Sequence, residues 1–289
     1  ADLGDPKRYR IISIEGAFHG RSLACIAAGR QEKHLAGFGP VVDGFDQVAF
    51  GNLNEMRAAI TPDPAGIVLA PIQGEGGIRP IDANYLKELR GITNEFGLLL
   101  MFDEVQCGVG RTGALYAYEN SGIAPDILAS AKGLGGGFPI GACLASEKVA
   151  SVMVAGSHGS TFGGNPLASA GALATIRYML DNDTQKNAFE MGSRLATRLQ
   201  PAVEASPVVA ELRGRGLMLA IETVHPDSLE PNPGAAVQLM ESTRAAGLLI
   251  GKGGLYGNVL RIAPPMTVNA SEVDEAADVL VESIAGLHQ

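Results

Sequence analysis

Leu98-Leu99-Leu100-Met101-Phe102 is an unbroken apolar run that stops on two carboxylates, Asp103 and Glu104. A strand with one wet face alternates apolar and polar side chains. A continuous run is what a strand covered on both faces needs, which is the habit of a central strand in a parallel sheet. Residues just past such a strand lie at its C-terminal end, where open α/β sheets bind ligands. The flanking chain fits the same plan. Residues 10–14 and 67–69 read as strands, and 82–96 as a helix capped by Asp82 and stopped by Gly97. Residues 127–128 and 142–144 read as further short buried strands. Asn165-Pro166 opens a long helix, with proline at a tolerated first-turn position. Strands alternating with helices predict an α/β fold.

After residue 180 the pattern changes. A polar helix (184–199) is followed by short strands within 213–221, a helix (235–246), short strands near Leu248 and Leu260, and a helix from Ala270. The Pro-rich stretch 226–233 reads as a surface loop. We therefore expect a large domain over 1–180 and a smaller α+β domain over 181–289. A net charge of −9 argues against a nucleic-acid binder, which needs a basic face. No apolar run reaches the roughly 18 residues of a membrane span, and residues 1–10 are polar where a secretory leader would be apolar. Cys25, Cys107 and Cys143 are widely spaced, with no CxxC pair. That suggests neither a zinc site nor a disulfide framework, but reduced thiols in the cytoplasm.

Four segments carry candidate chemistry. Asp103 and Glu104 need partners if shielded from water; a strand-end acid can also simply cap a neighbouring helix. Lys132 follows the 127–128 strand and precedes Gly133-Leu134-Gly135-Gly136-Gly137. The glycines let backbone approach a bulky group. A phosphate loop of the P-loop kind is excluded, because there the lysine follows the glycines. Ser157 to Pro166 puts small residues and hydroxyls, Thr161 among them, before a helix N-terminus. That suits a phosphate or an ordinary cap. Gly16-Ala17-Phe18-His19-Gly20-Arg21 sets an aromatic and a cation after the first strand, or is a loop with an incidental aromatic.

Taken in order, GAFHGR, PIQGEGG, FDEVQCGVGRTG, AKGLGGGFPIGA and HGSTFGGNPLA strongly resemble the class III (ω-amino acid) aminotransferases that use pyridoxal 5'-phosphate (PLP). The resemblance covers nearly the whole chain. It implies the PLP-dependent transferase fold type I: a mostly parallel central sheet with helices on both faces, plus the smaller C-terminal domain. It makes Lys132 the Schiff-base lysine and proton carrier. It sets Asp103 against the protonated pyridine nitrogen, so that the ring can act as an electron sink. Gln106 would hydrogen-bond the phenolic oxygen, and Val105 and Phe18 would sandwich the ring. Thr161 would reach the phosphate of a neighbouring subunit, which implies a homodimer with shared active sites. No metal, nucleic acid or membrane partner is implied.

A class III enzyme handles an amino acid donor and a 2-oxoacid acceptor in one pocket. Arg261 resembles the arginine that grips glutamate's carboxylate in bidentate fashion. Glu75 resembles the glutamate that masks it when the donor is bound, and Arg21 is a candidate for the donor's far carboxylate. Residues up to 180 look most like acetylornithine members, so transfer from N-acetylornithine to 2-oxoglutarate is the first expectation. Residues 247–258 look more like alanine–glyoxylate or 4-aminobutyrate members. An ornithine-type enzyme, an aminomutase or decarboxylase on the same fold, and a non-catalytic homologue are the alternatives. The chain departs from the family at Ala70, where glutamate is usual. The resemblance also implies roughly a hundred residues upstream, with a Ser/Gly-Thr loop that holds the phosphate at a helix N-terminus, so the chain is expected to be a fragment.

Overall fold

Residues 7–287 are described by the structure, a computed structural model; residues 1–6 of the polar opening lie outside them. The strands are β1 (Arg10–Ile14), β2 (Phe45–Val48), β3 (Pro64–Leu69), β4 (Ile72–Gln73), β5 (Arg79–Pro80), β6 (Leu99–Asp103), β7 (Ile127–Ala131), β8 (Gly141–Ala145), β9 (Val209–Arg215), β10 (Met218–Thr223), β11 (Gly251–Gly253) and β12 (Val259–Ile262). The chain divides into two compact units.

The first unit comprises residues up to 71, 81–109 and 116–181. Its sheet has the order β2-β1-β3-β6-β7-β8, parallel throughout except for β8. The period of two in β1 decides how it is covered. Ile12 and Ile14 join Ile67, Leu69, Leu100 and Phe102 in a core that also takes Leu86 and Leu89 of helix Ala83–Phe96. Ser13, between the two isoleucines, points the other way and donates to the Ala28 carbonyl at 2.6 Å, in helix Leu23–Gly29. Helices thus cover both faces. Asp82 caps Ala83–Phe96 by accepting from the Asn84 and Tyr85 N–H groups, and Gly97 closes it at φ 65°, a conformation open to glycine at little cost.

One expectation fails. Residues 142–144 do form a strand, but β8 is exposed at every position. It is an antiparallel edge with one hydrogen-bonded neighbour. An apolar run says that a strand tolerates cover, not that this chain supplies it. The short strand expected near Leu248 is β11, which begins three residues on. Leu248 itself donates its N–H to the Thr243 carbonyl at 2.8 Å, just past helix Pro233–Ala245, and its side chain packs on the core.

The second unit comprises 72–80, 110–115 and the chain from 182. Its antiparallel sheet has the order β11-β12-β10-β9. Leu219, Ile221, Leu260 and Ile262 share a core with Leu195 and Leu199 of helix Thr184–Ala205, Leu239 of Pro233–Ala245 and Leu280 of Ala270–Ala285. The alternate residues, Ala220 and Arg261, belong to the opposite face. Two excursions from earlier in the chain join this unit. The β4-β5 hairpin is one. The other is 110–115, where Arg111 donates to the Leu217 and Pro264 carbonyls at 3.2 and 2.5 Å.

Of the two carboxylates after the apolar run, Glu104 takes the capping role. It is fully buried. Its two oxygens accept the Ala117 and Tyr118 N–H groups at 2.7 and 2.8 Å, which ties the turn Ala117–Ser121 to the end of β6. Burial pushes this carboxyl up to about 7, against the pull of those two bonds. The sign follows from linkage. Between the unfolded value near 4.5 and 7, the folded chain holds a proton that the unfolded chain releases. Stability from this group is therefore complete below that window and lost as pH rises through it. We predict that Glu104→Gln, neutral throughout, lacks this loss. In denaturant unfolding, the parent should weaken relative to the variant by about 2 kcal/mol from pH 5 to pH 7. Parallel pH profiles would contradict the assignment.

Candidate functional site

In the first unit the candidate residues gather where parallel strands end. β6 and β7 are neighbours, with Asp103 opposite Ala129. β7 stops at Ala131, and Lys132 follows directly. A carboxylate and an amine therefore leave the C-terminal ends of adjacent strands, the edge where such sheets take ligands. Lys132 has φ 47°. The left-handed region costs an L-residue roughly 1–2 kcal/mol, and strain of this kind gathers at functional positions. Lys132 opens the short turn Lys132–Gly135 and is solvent-exposed. No ion pair among the described residues engages it.

Asp103 is held from two sides. One oxygen accepts the Val105 N–H at 3.1 Å. The other lies 2.8 Å from Nδ1 of His19. A carboxylate only accepts, so the bond sets the imidazole proton on Nδ1. Both side chains are largely buried, 7% and 15% exposed. His19 Nε2 is buried with no partner among the described residues. In the sheet order β3 lies between β1 and β6, and the loop after β1 carries His19 past it. The same loop presents Phe18, half-buried, edge-on to His34 with ring centroids 5.6 Å apart. Arg21, exposed, lays its guanidinium 5.5 Å from the centre of the Phe18 ring. Val105 and Gln106 are half-buried in the turn after β6. Thr161 is exposed in an irregular stretch, and no hydrogen bond among the described residues joins it to this cluster.

In the second unit, Glu75 and Arg261 meet. Arg261, on β12, donates from Nη1 to Glu75 Oε1 at 2.5 Å. The side chains are 36% and 22% exposed. The guanidinium can receive a carboxylate in bidentate fashion, and an internal carboxylate stands on it.

The donor set suits the ring end of PLP. Asp103 is oriented by two donors and keeps lone pairs for a protonated ring nitrogen. Lys132 offers an uncommitted amine, and Phe18 an aromatic face. In the sequence, His19 stands out only as part of the GAFHGR motif. Nothing in linear spacing ties position 19 to position 103; an imidazole beside an aromatic, directly after a strand, was the sole signal.

The family description Aminotransferase class-III matches residues 2–284. Acetylornithine aminotransferase of Mesorhizobium japonicum is 48% identical over 288 residues, covering 98% of this chain and 69% of that protein. The protein of the same name from Brucella melitensis is 49% identical over 275 residues, covering 94% and 65%. Among solved structures, ornithine aminotransferase from Toxoplasma gondii aligns with a TM-score of 0.90 at 29% identity, covering 98% of this chain and 65% of that one. A transaminase from the marine bacterium Virgibacillus aligns with a TM-score of 0.92 at 27% identity, covering 98% and 69%. The chain thus spans about two thirds of the length of these relatives. With a family match running almost end to end and near-half identity to curated members, this chain belongs to the class-III aminotransferases.

Proposed function

We propose that the protein is a PLP-dependent aminotransferase that moves the ω-amino group of N-acetylornithine to 2-oxoglutarate, leaving an aldehyde and giving glutamate. The observation that carries this is the strained Lys132 and the braced Asp103 at the ends of adjacent strands. The substrate choice rests on the identity to proteins named acetylornithine aminotransferase.

When bound, PLP supplies an electron sink for the charge left as a proton departs the carbon that bears the amine. The chain's own residues do the rest. Asp103 would bond the protonated ring nitrogen through a charge-assisted bond, and His19 holds that carboxylate in place. Phe18 and Val105 would hold the ring from its two sides, and Gln106 would donate to its phenolic oxygen. Lys132 would anchor the cofactor through its amine and, as a free amine, would carry the proton to and from the reacting carbon. Arg21 takes the donor's far carboxylate. Arg261 takes glutamate's carboxylate, and Glu75 masks that arginine while the donor reacts. These roles fall within a cofactor-binding domain to residue 180 and a small domain from 181, Glu75 lying on the excursion 72–80 that folds with the latter.

We read the protein as a cytoplasmic homodimer in which Thr161 serves the neighbouring subunit's phosphate. Exposed Val152, Met153, Val154, Phe162 and Leu167 support this, being apolar surface that a partner would cover. The three cysteines are free, and no helix among the described residues is long and apolar enough to cross a membrane.

The test uses the intact protein. With PLP it should show a visible absorption band that borohydride fixes to the peptide containing Lys132, and Lys132→Ala should lose both. Glutamate should form from N-acetylornithine and 2-oxoglutarate. A band indifferent to Lys132→Ala, or isomerisation without glutamate, rejects the proposal. His19→Ala should keep the band but slow transfer by about tenfold to hundredfold, the usual cost of a lost hydrogen bond to a charged group. Full activity in that variant would show that Asp103 needs no brace.

A further inference from the structure

The Glu75–Arg261 pair requires something to hold Glu75 in place, since Glu75 lies on a short hairpin and not in the main sheet. Residues opposite one another in antiparallel strands share a face. Ala220 of β10 is opposite Arg213 of β9 on one side and Arg261 of β12 on the other. The two arginines therefore stand in one row, separated by a buried alanine, on the face turned from the helices.

Arg213 is 12% exposed and donates to backbone carbonyls and to carboxylates. Its Nε donates to the Gly77 and Ile78 carbonyls, both at 3.0 Å, and its Nη2 to Gly77 again at 2.6 Å. Its Nη1 donates to Glu211 at 2.6 Å and to Glu222. Glu222 is itself braced by Asn258 Nδ2 at 3.1 Å. The Gly254 N–H donates to the Glu75 carbonyl at 3.2 Å. Gly77 adopts φ +113°. A Cβ there would stand 3.1 Å from Arg213 Nη2 and 3.2 Å from Val259 Cγ2, so the turn enters this corner as bare backbone. Two carboxylates face the Arg213 guanidinium and two carbonyls cross its other edge, a use of the planar fork that a lysine cannot copy.

We propose that Arg213 is the positioning residue that seats Glu75 on Arg261, and so sets how readily Arg261 is released to a substrate carboxylate. The proposal rests on the reading of Glu75 and Arg261 given above. With Arg213 gone the hairpin loses its anchor, Glu75 leaves Arg261, and the bare guanidinium favours a dicarboxylate over the donor.

The experiment compares Arg213→Met, Arg213→Lys and Glu75→Gln in the intact PLP-loaded protein. It reads the donor and glutamate half-reactions separately, the affinity for glutarate as an unreactive dicarboxylate, and amide hydrogen exchange across 72–80. Arg213→Met should speed exchange of the hairpin at least tenfold, leaving β10 protected. It should tighten glutarate and move the donor-to-glutamate ratio of kcat/KM about tenfold toward glutamate, in the direction of Glu75→Gln. Arg213→Lys should fall between, and Glu75→Gln on top of Arg213→Met should add nothing. If Glu75→Gln shifts the ratio while Arg213→Met lowers both half-reactions equally with hairpin exchange unchanged, the proposal is overturned and the switch reading stands. If Glu75→Gln shifts nothing while Arg213→Met still frees the hairpin, the switch reading fails and only the anchoring stands. Should Arg213→Met not fold, Arg213→Lys decides: parental exchange and ratio in that variant overturn the proposal.

Discussion

The parallel pairing of β6 with β7 is the contact on which the chemistry proposed for the first unit depends. It places two strand ends side by side, with Asp103 opposite Ala129 and Lys132 three residues further on. Neither residue can be moved to the other end without reversing its strand, and both strands are buried, β6 at Leu100 and Phe102 and β7 at Leu128. The remaining features refine what that pairing provides. A left-handed backbone turns the chain at Lys132, Glu104 fastens the following loop to β6, and His19 crosses from β1 to brace Asp103. The two adjacent acids divide the labour: one buried and spent on backbone donors, the other held at the strand end with acceptor capacity to spare.

The second unit solves a different problem with the same elementary device, side-chain alternation along a strand. Leu219 and Ile221 face the helices. Ala220 faces away, and its strand stands between those of Arg213 and Arg261, which keeps two like charges two strand spacings apart. Glu211, Glu222 and Glu75 supply the opposing charge. Such a row gains little stability where it is exposed. Its worth lies in geometry, because the rigid planar fork of each arginine meets its acceptors in fixed directions.

Much of this was legible from sequence where the signal is local. The continuous apolar run specified β6, Asp82 and Gly97 bounded their helix to the residue, and proline at 166 marked where the long helix starts. Signals that depend on distant partners were silent. Nothing near position 19 announces Asp103, and nothing near 213 announces the carbonyl at 77. The excursions 72–80 and 110–115 lie in sequence inside the first unit yet fold with the second, and hydrophobic periodicity carries no record of that. The misjudged strand at 142–144 had the apolar composition of a buried strand, and composition does not say which side of an edge it occupies.

On the proposed function, one amine and one acid from adjacent strand ends serve the same aromatic cofactor. A crystal structure of the intact protein grown with PLP tests it most directly. Continuous electron density is expected from the Lys132 side chain to the cofactor, with the Asp103 carboxylate hydrogen-bonded to the ring nitrogen while still accepting from His19. Density joining the cofactor to another lysine, or a ring nitrogen facing away from Asp103, would contradict it.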